Sequence, residues 1–252
     1  MNFDSTYNPF SLVGKTILIT GASSGIGRAT AIECSKLGAT CVITGRNEER
    51  LNETLSQMAG EGHISIVTDI STEEGINLLV EKSPLLDGLV NNAGIVINKP
   101  IKFYQHEDLS QIFQVNTFAP MFIVKNMLKK KKILNNGSIV FISSMAAFNS
   151  TLGNGIYGSS KAATTAYMRY CARELANKGI RANSIHPAMV ETPLICDTAL
   201  SDTDLQKDRE RYPLGRYGKP EEIAQMIIYL LSDASAWVTG TSMLIDGGIS
   251  LK

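Results

Sequence analysis

Between Lys15 and Gly45 the chain passes through an apolar run, KTILITG, a glycine-rich turn, a mixed segment from Arg28 to Leu37, and a second apolar run, TCVITG. Short Val/Ile/Leu runs bounded by glycine read as strands, and the longer mixed segment reads as a helix that Gly38 closes. The unit then recurs. A helical pattern over Glu48–Met58 leads into ISIVTD, and a polar helix at Thr72–Ser83 precedes LDGLVNNAG. One long helix over Asp108–Lys131, bent at Pro120, feeds a fifth strand in GSIVFISS. Tyr157–Asn177 predicts the next helix, stopped by Lys178-Gly179. IRANSIHP is a sixth strand, Pro220–Leu231 a last helix and TSMLID a seventh strand. These strands show no polar-out alternation, so the pattern predicts an α/β, doubly wound architecture with a parallel seven-stranded sheet covered on both faces.

The segment from Glu191 to Tyr217 breaks the rhythm. It is polar, holds Pro193 and Pro213, and is longer than an ordinary connection, which marks residues 191–217 as a candidate substrate lid. No internal repeat or interdomain linker interrupts the chain, so residues 1–252 are expected to form one domain for both dinucleotide binding and catalysis.

Composition narrows the function classes. Lys+Arg and Asp+Glu both number 24, so no net charge steers the surface toward nucleic acid or acidic lipid, and neither partner is expected. The run Lys129–Lys132 reads as a solvated helix end. Cys34, Cys41, Cys171 and Cys196 lack metal-like or redox spacing; the first three sit in helix or strand patterns as small buried hydrophobes, which fits a reducing compartment, and no metal is expected. The N-terminal MNFDSTYNPFSLVGK has no basic-then-apolar signal, and no apolar stretch reaches 18 residues, so a cytoplasmic location is the expectation.

The turn TGASSGIG supplies Gly21, Gly25 and Gly27 between a strand and a helix, where absent side chains let backbone N–H groups approach a phosphate; Ser23, Ser24 and Ile26 complete it as cofactor-binding candidates. Such a turn also serves packing alone. After the second strand come Arg46 and Asn47 with no carboxylate at the strand end, which favours NADP(H) over NAD(H), since a guanidinium pairs with a 2′-phosphate. Asp69 could accept a bond from an adenine amino group with Ile70 on the ring, although Asp69 or Ser71 could equally cap the next helix. Asn91-Asn92-Ala93-Gly94 combines amides able to tie strands and loops with small residues that leave cofactor room.

Tyr157 and Lys161 lie four apart on a predicted helix, on one face, among Gly158, Ser159, Ser160, Ala162 and Ala163. A phenol ordinarily titrates near ~10, and a close ammonium is expected to move it downward toward acid–base use. Ser144 follows the fifth strand and could share a substrate carbonyl oxygen with that phenol; Ser143 competes by position.

These residues together resemble the short-chain dehydrogenase/reductase family, in its 3-oxoacyl-carrier-protein reductase-like branch and near its sugar, polyol and hydroxysteroid relatives, over nearly the whole chain from Leu12 to Gly248. TGASSGIG, NNAG and YGSSK match that family's ordered motifs. The resemblance implies a Rossmann-type fold and a catalytic group of Asn116, Ser144, Tyr157 and Lys161. In it the Asn116 main chain holds a relay water, and Lys161 also binds the nicotinamide ribose. NSIHPAMVETP is similar to the family's strand-six exit, which places Pro187, Val190 and Thr192 beside the nicotinamide. Ala188 stands where glycine is usual, and His186 reads as a strand-end or core histidine rather than a base. The connection from Asp69 to Leu89 is shorter than in many relatives.

The resemblance further implies a homotetramer, with a dimer as the alternative. It also implies hydride transfer between NADP(H) and a ketone or secondary alcohol, a 3-oxoacyl thioester among them. Hydroxysteroid or sugar/polyol oxidation is the alternative, and a dinucleotide-binding sensor or scaffold the non-enzyme one. Met145, Phe148, Leu152, Met189, Leu194, Ile195, Leu205 and Tyr212 offer apolar area for substrate or for packing a lid.

Overall fold

The computed structural model describes residues 7–193 and 202–251. Leu194, Ile195 and Cys196, and the part of the 191–217 segment from 194 to 201, lie outside the described residues. The first half of the chain alternates strands and helices: β1 (Thr16–Thr20), α1 (Gly25–Lys36), β2 (Thr40–Gly45), α2 (Glu48–Ser56), β3 (Ile64–Val67), α3 (Glu73–Lys82) and β4 (Leu86–Asn91). The second half adds α4 (His106–Phe113), α5 (Ala119–Lys129), β5 (Ile133–Ile142), α6 (Gly155–Leu175), β6 (Arg181–Pro187), α7 (Asp202–Arg209), α8 (Pro220–Leu231) and β7 (Ser242–Ile245).

The strands form one sheet in the order β3-β2-β1-β4-β5-β6-β7, parallel at every pairing. Alternate residues of each strand enter opposite layers. Ile17 and Ile19 pack with Ala31 and Cys34 of α1 and Ile223 and Ile227 of α8. Leu18 faces the other side, with Leu79 of α3, Ile123 and Met127 of α5, and Met168 of α6. Both faces are therefore buried, which is why the strands read as near-continuous apolar runs. The chain leaves the β1–β2–β3 half and re-enters beside β1 as β4, so the strand order reverses between β1 and β4. In such sheets a ligand crevice opens at that point, beyond the carboxyl ends of the strands.

Two predicted features are corrected. The helix over 108–131 is not bent by Pro120, which sits at the start of α5, where a missing N–H costs little. The break is a π-helical segment, Gln114–Phe118, between α4 and α5, where one turn carries an extra residue. β5 also begins earlier than GSIVFISS, at Ile133, because Ile133 pairs with Leu86 and the register shifts before Gly88 meets Ser138.

Candidate active site

The glycine turn lies at the β1–β4 crevice. Gly21 and Gly25 take positive φ values of 67° and 53°, backbone that L side chains rarely adopt. A side chain at Gly27 would collide with the Gly21 carbonyl and the Asn92 amide. Asn92 ties the turn in place, its Nδ2 donating to the carbonyls of Thr20 (2.9 Å) and Gly21 (3.2 Å), while Thr20 Oγ1 accepts from the backbone N–H groups of Asn92 and Ala93. α1 then starts from Ser24 with no side-chain cap and no acidic residue in its first turn. By contrast, α2 and α3 are capped by Asn47 and Thr72 and carry Glu48-Glu49 and Glu73-Glu74 there. The open N–H groups of α1 are accordingly suited to an anion.

Around this turn, Ser23 gives its carbonyl to Arg28 Nη2 at 2.7 Å, and Ile26 packs on the core. Arg46 is exposed at the end of β2, and its charge reaches Asp69. Burial pulls the Asp69 carboxyl up, but bonds from the Ser71 backbone and hydroxyl, together with Arg46, outweigh it and hold the group below its ordinary value. Asp69 and Ser71 do not cap α3; Thr72 does, accepting from Gly75 N at 3.0 Å. Asn47 has a second role beyond the expected cofactor contact: its Oδ1 caps α2, accepting from Arg50 N at 2.8 Å. Ile70 packs partly against the core.

The π segment places Asn116 at the centre of a buried network. Its Oδ1 accepts from Ile95 N (2.8 Å), its Nδ2 donates to Ile95 O (2.9 Å) and Ser160 Oγ (3.0 Å), and its carbonyl accepts from Thr164 Oγ1 (2.8 Å). Ser160 in turn donates to the Tyr157 carbonyl at 2.7 Å. Sequence reasoning missed Ser160 and Thr164; the signal was their spacing of three and seven from Tyr157, the same helix face.

Tyr157 and Lys161 do share that face, with Lys161 Nζ 5.8 Å from the Tyr157 ring centroid. Lys161 is buried, its ammonium donates to the Ile142 carbonyl at 2.8 Å, and burial pulls its pKa down to about 8. The expected lowering of the Tyr157 phenol is not what the protein alone produces: burial raises it above its ordinary value, opposed by a bond to the Ser144 hydroxyl. Ser143 and Ser144 point to different partners. Its hydroxyl is buried against the Lys161 carbonyl (3.1 Å) and Thr165 Oγ1 (2.9 Å), while Ser144 turns toward Tyr157. A methyl at Gly94 would lie 3.2 Å from both Asn116 Oδ1 and Lys161 Nζ and crowd them, so the missing side chain lets these groups approach the Asn92–Gly94 backbone closely.

The β6 exit completes the crevice. Pro187 ends β6 opposite Ile245, Val190 bridges Gly218, and Thr192 lies against Gly25. Ala188 keeps an ordinary negative φ, so its methyl is accommodated without strain. His186 is fully buried, with Nδ1 3.1 Å from the Ser144 carbonyl and Nε2 2.8 Å from Ser184 Oγ. Among the described residues no three His, Cys, Asp or Glu side chains gather as a metal site would require, and no helix is long and apolar enough to cross a membrane.

Three comparisons bear on this geometry. A family model described as "Enoyl-(Acyl carrier protein) reductase" matches residues 21–250. The 3-oxoacyl-[acyl-carrier-protein] reductase FabG of Thermotoga maritima is 36% identical over 248 residues, covering 94% of this chain and 98% of that protein. Two solved structures superpose closely. One is a Beutenbergia cavernae chain provisionally assigned as an NAD(P) dependent gluconate 5-dehydrogenase, with NADP bound at low occupancy (TM-score 0.88, 30% identity, 97% and 100% coverage). The other is the 3-ketoacyl-(acyl-carrier-protein) reductase of Brucella melitensis with NADH (TM-score 0.85, 29% identity, 95% and 100% coverage). With a doubly wound seven-stranded sheet and relatives that hold either dinucleotide, the chain belongs to the short-chain dehydrogenase/reductase family, in its 3-oxoacyl-carrier-protein reductase-like branch, and is an NAD(P)-dependent oxidoreductase acting on a small carbonyl or alcohol.

Proposed function

We propose that the chain is an NADP(H)-dependent reductase of ketones, with 3-oxoacyl thioesters as the leading substrate class. The observation that carries this reading is the meeting of the Ser144 hydroxyl and the Tyr157 phenol beside Lys161. The residues fit a dinucleotide, because Gly21 and Gly25 hold the turn in positive-φ backbone and the first turn of α1 is open, with no side-chain cap and no carboxylate. Gly21, Ser23, Ser24, Gly25, Ile26 and Gly27 would hold the pyrophosphate, and Arg46 a 2′-phosphate, with Asn47 beside it in its capping role. Asp69 and Ile70 would take the adenine, Asn92, Ala93 and Gly94 the adjoining ribose, and Pro187, Val190 and Thr192 the nicotinamide amide. When bound, the nicotinamide supplies or takes up the hydride.

In reduction, Ser144 orients the carbonyl oxygen and Tyr157 donates the proton to it. A phenol raised by burial stays protonated at neutral pH and is therefore ready as an acid. Lys161, still largely charged at neutral pH, stabilises the phenolate left behind and holds ribose hydroxyls. The Asn116 carbonyl, with one lone pair taken by Thr164, offers the other to a relay water that returns the proton. The 3-oxoacyl-carrier-protein substrate of the Thermotoga relative's name, with partly buried Met145, Met189 and Leu205 around Tyr212 and Tyr217, supports an acyl chain. The likeness to the Beutenbergia chain supports a polyol as a second reading.

The proposed assembly is a homotetramer that covers exposed Phe118, Phe122, Tyr170, Trp237 and Leu244, which sedimentation tests. The buried free thiols of Cys34, Cys41 and Cys171 suit a cytoplasmic setting. NADPH should bind more tightly than NADH, and Arg46→Ala should weaken NADPH alone by about tenfold to a hundredfold; equal affinities in the wild type overturn the cofactor assignment. A panel of 3-oxoacyl thioesters, ketosteroids and keto-sugars assayed with NADPH decides the substrate.

A further inference from the structure

We infer that His186 is a positioning residue for Ser144, fixing through the Ser144 carbonyl the direction of the hydroxyl that meets Tyr157. The inference rests on the proposed roles of Ser144 and Tyr157. A backbone carbonyl only accepts, so the proton of the imidazole lies on Nδ1, which donates to Ser144 O at 3.1 Å. Complete burial disfavours the imidazolium, and the charges of Arg169 and Lys161 add to that against the Ser144 bond. The ring is therefore neutral, and Nε2 accepts from the Ser184 hydroxyl at 2.8 Å. Ser184 Oγ lies 3.1 Å from Ser242 Oγ on β7. A hydrogen-bonded chain thus crosses from β7 through β6 to Ser144, two residues beyond the end of β5.

On its other side the His186 ring packs on Phe148, with centroids 4.5 Å apart and planes 32° apart. Phe148 closes the short helical turn Met145–Ala147, and the Ser144 hydroxyl opens it by accepting from Ala146 N at 3.1 Å. His186 thus grips both ends of the bend that carries Ser144. The neighbouring backbone bond from β6, Ser143 N to the Ile185 carbonyl at 2.8 Å, falls one residue short of the bend.

Four variants test the assignment. His186→Phe keeps the ring and its contact with Phe148 but removes the donor. His186→Asn places an amide donor near Nδ1, whereas His186→Gln places it near Nε2. Expected are a roughly tenfold fall in kcat for His186→Phe and His186→Gln at unchanged NADPH affinity, recovery in His186→Asn, and less than a twofold further change when His186→Phe is added to Ser144→Ala. A tyrosine 13C NMR titration supplies a readout without substrate: the Tyr157 midpoint should rise in His186→Phe as in Ser144→Ala, because each removes the hydroxyl bond that opposes burial. Should His186→Phe fail to fold, the Asn and Gln pair carries the comparison. Equal kcat for Asn and Gln, an undiminished tenfold loss in the Ser144→Ala background, or an unmoved Tyr157 midpoint overturns the inference. Wild-type turnover by Ser144→Ala alone would instead overturn the Ser144 assignment.

Discussion

The junction of β5 with α6 and the connection that follows β6 meet at one crevice yet are held by different means. At the junction, Lys161 Nζ, Ser143 Oγ, Asn116 and Thr164 are buried and joined by hydrogen bonds that span 18 to 48 positions of sequence. The connection has a core of its own, in which, among the described residues, Tyr212, Tyr217 and Ile249 are buried, with Met145, Met189 and Leu205 packed against them. Its ends are pinned by the Val190–Gly218 bridge and by Arg216, whose guanidinium holds both oxygens of Glu222 at 2.6 and 2.8 Å. The proposed proton-transfer groups therefore sit on elements that cannot move without unsatisfying buried polar atoms, whereas the proposed substrate-facing surface rests on a smaller apolar core.

The largest effect should come from Tyr157→Phe, which should cut kcat by about 10²–10⁴-fold while leaving the circular dichroism spectrum and NADPH affinity intact. Retention of wild-type kcat would remove the junction from the chemistry. Lys161→Met should follow, with a loss of NADPH affinity as well as kcat and a distinctive effect of pH on stability. Burial lowers the folded pKa of Lys161 to about 8, so the wild type bears the cost of a buried ammonium below pH 8 and sheds it as pH rises toward the ordinary lysine value of 10.5. The melting temperature of Lys161→Met relative to wild type should therefore be highest below pH 8 and decline above it. A pH-independent difference would show that Lys161 is not perturbed.

Changes in the connection should act on substrate rather than on chemistry. Tyr212→Ala empties part of the small core and removes a hydroxyl 3.3 Å from Met189 N, so KM for the carbonyl compound should rise several-fold while NADPH affinity holds. An equal loss of cofactor affinity would erase the distinction between the two regions. The smallest effect belongs to Glu222→Gln. The Arg216 bond holds the Glu222 carboxyl down at about 2, so its stabilisation is present above pH 4.5 and lost as pH falls toward 2. The variant should match wild type near pH 2 and melt only slightly lower at neutral pH, since the pair is largely exposed.

The same division governs how much the sequence discloses. Strands β1, β2 and β4, helix α8 and the shared face of Tyr157 and Lys161 follow from local periodicity, which is a property of neighbouring residues. The cap that Asn47 gives α2 could not be read from its strand-end position alone, because it depends on where the Arg50 N–H comes to lie. The direction of the Tyr157 shift depends on burial outweighing one hydroxyl bond, and burial is set by the whole fold. The partner of Lys161 is a backbone carbonyl, that of Ile142, which carries no mark in sequence. Pro120 drew the predicted bend toward itself, whereas the bend belongs to four ordinary residues and Asn116.

That π segment also sets the phase of everything downstream. Each helical residue advances the side chain by roughly 100°, so the surplus position between Phe113 and Ala119 is what aims Ile123, Val124 and Met127 at the sheet while Asn116 faces Ile95. Deleting any one residue there would straighten the rod and swing α5's oily stripe toward water, so this part of the chain tolerates exchange of letters far better than a change in their number.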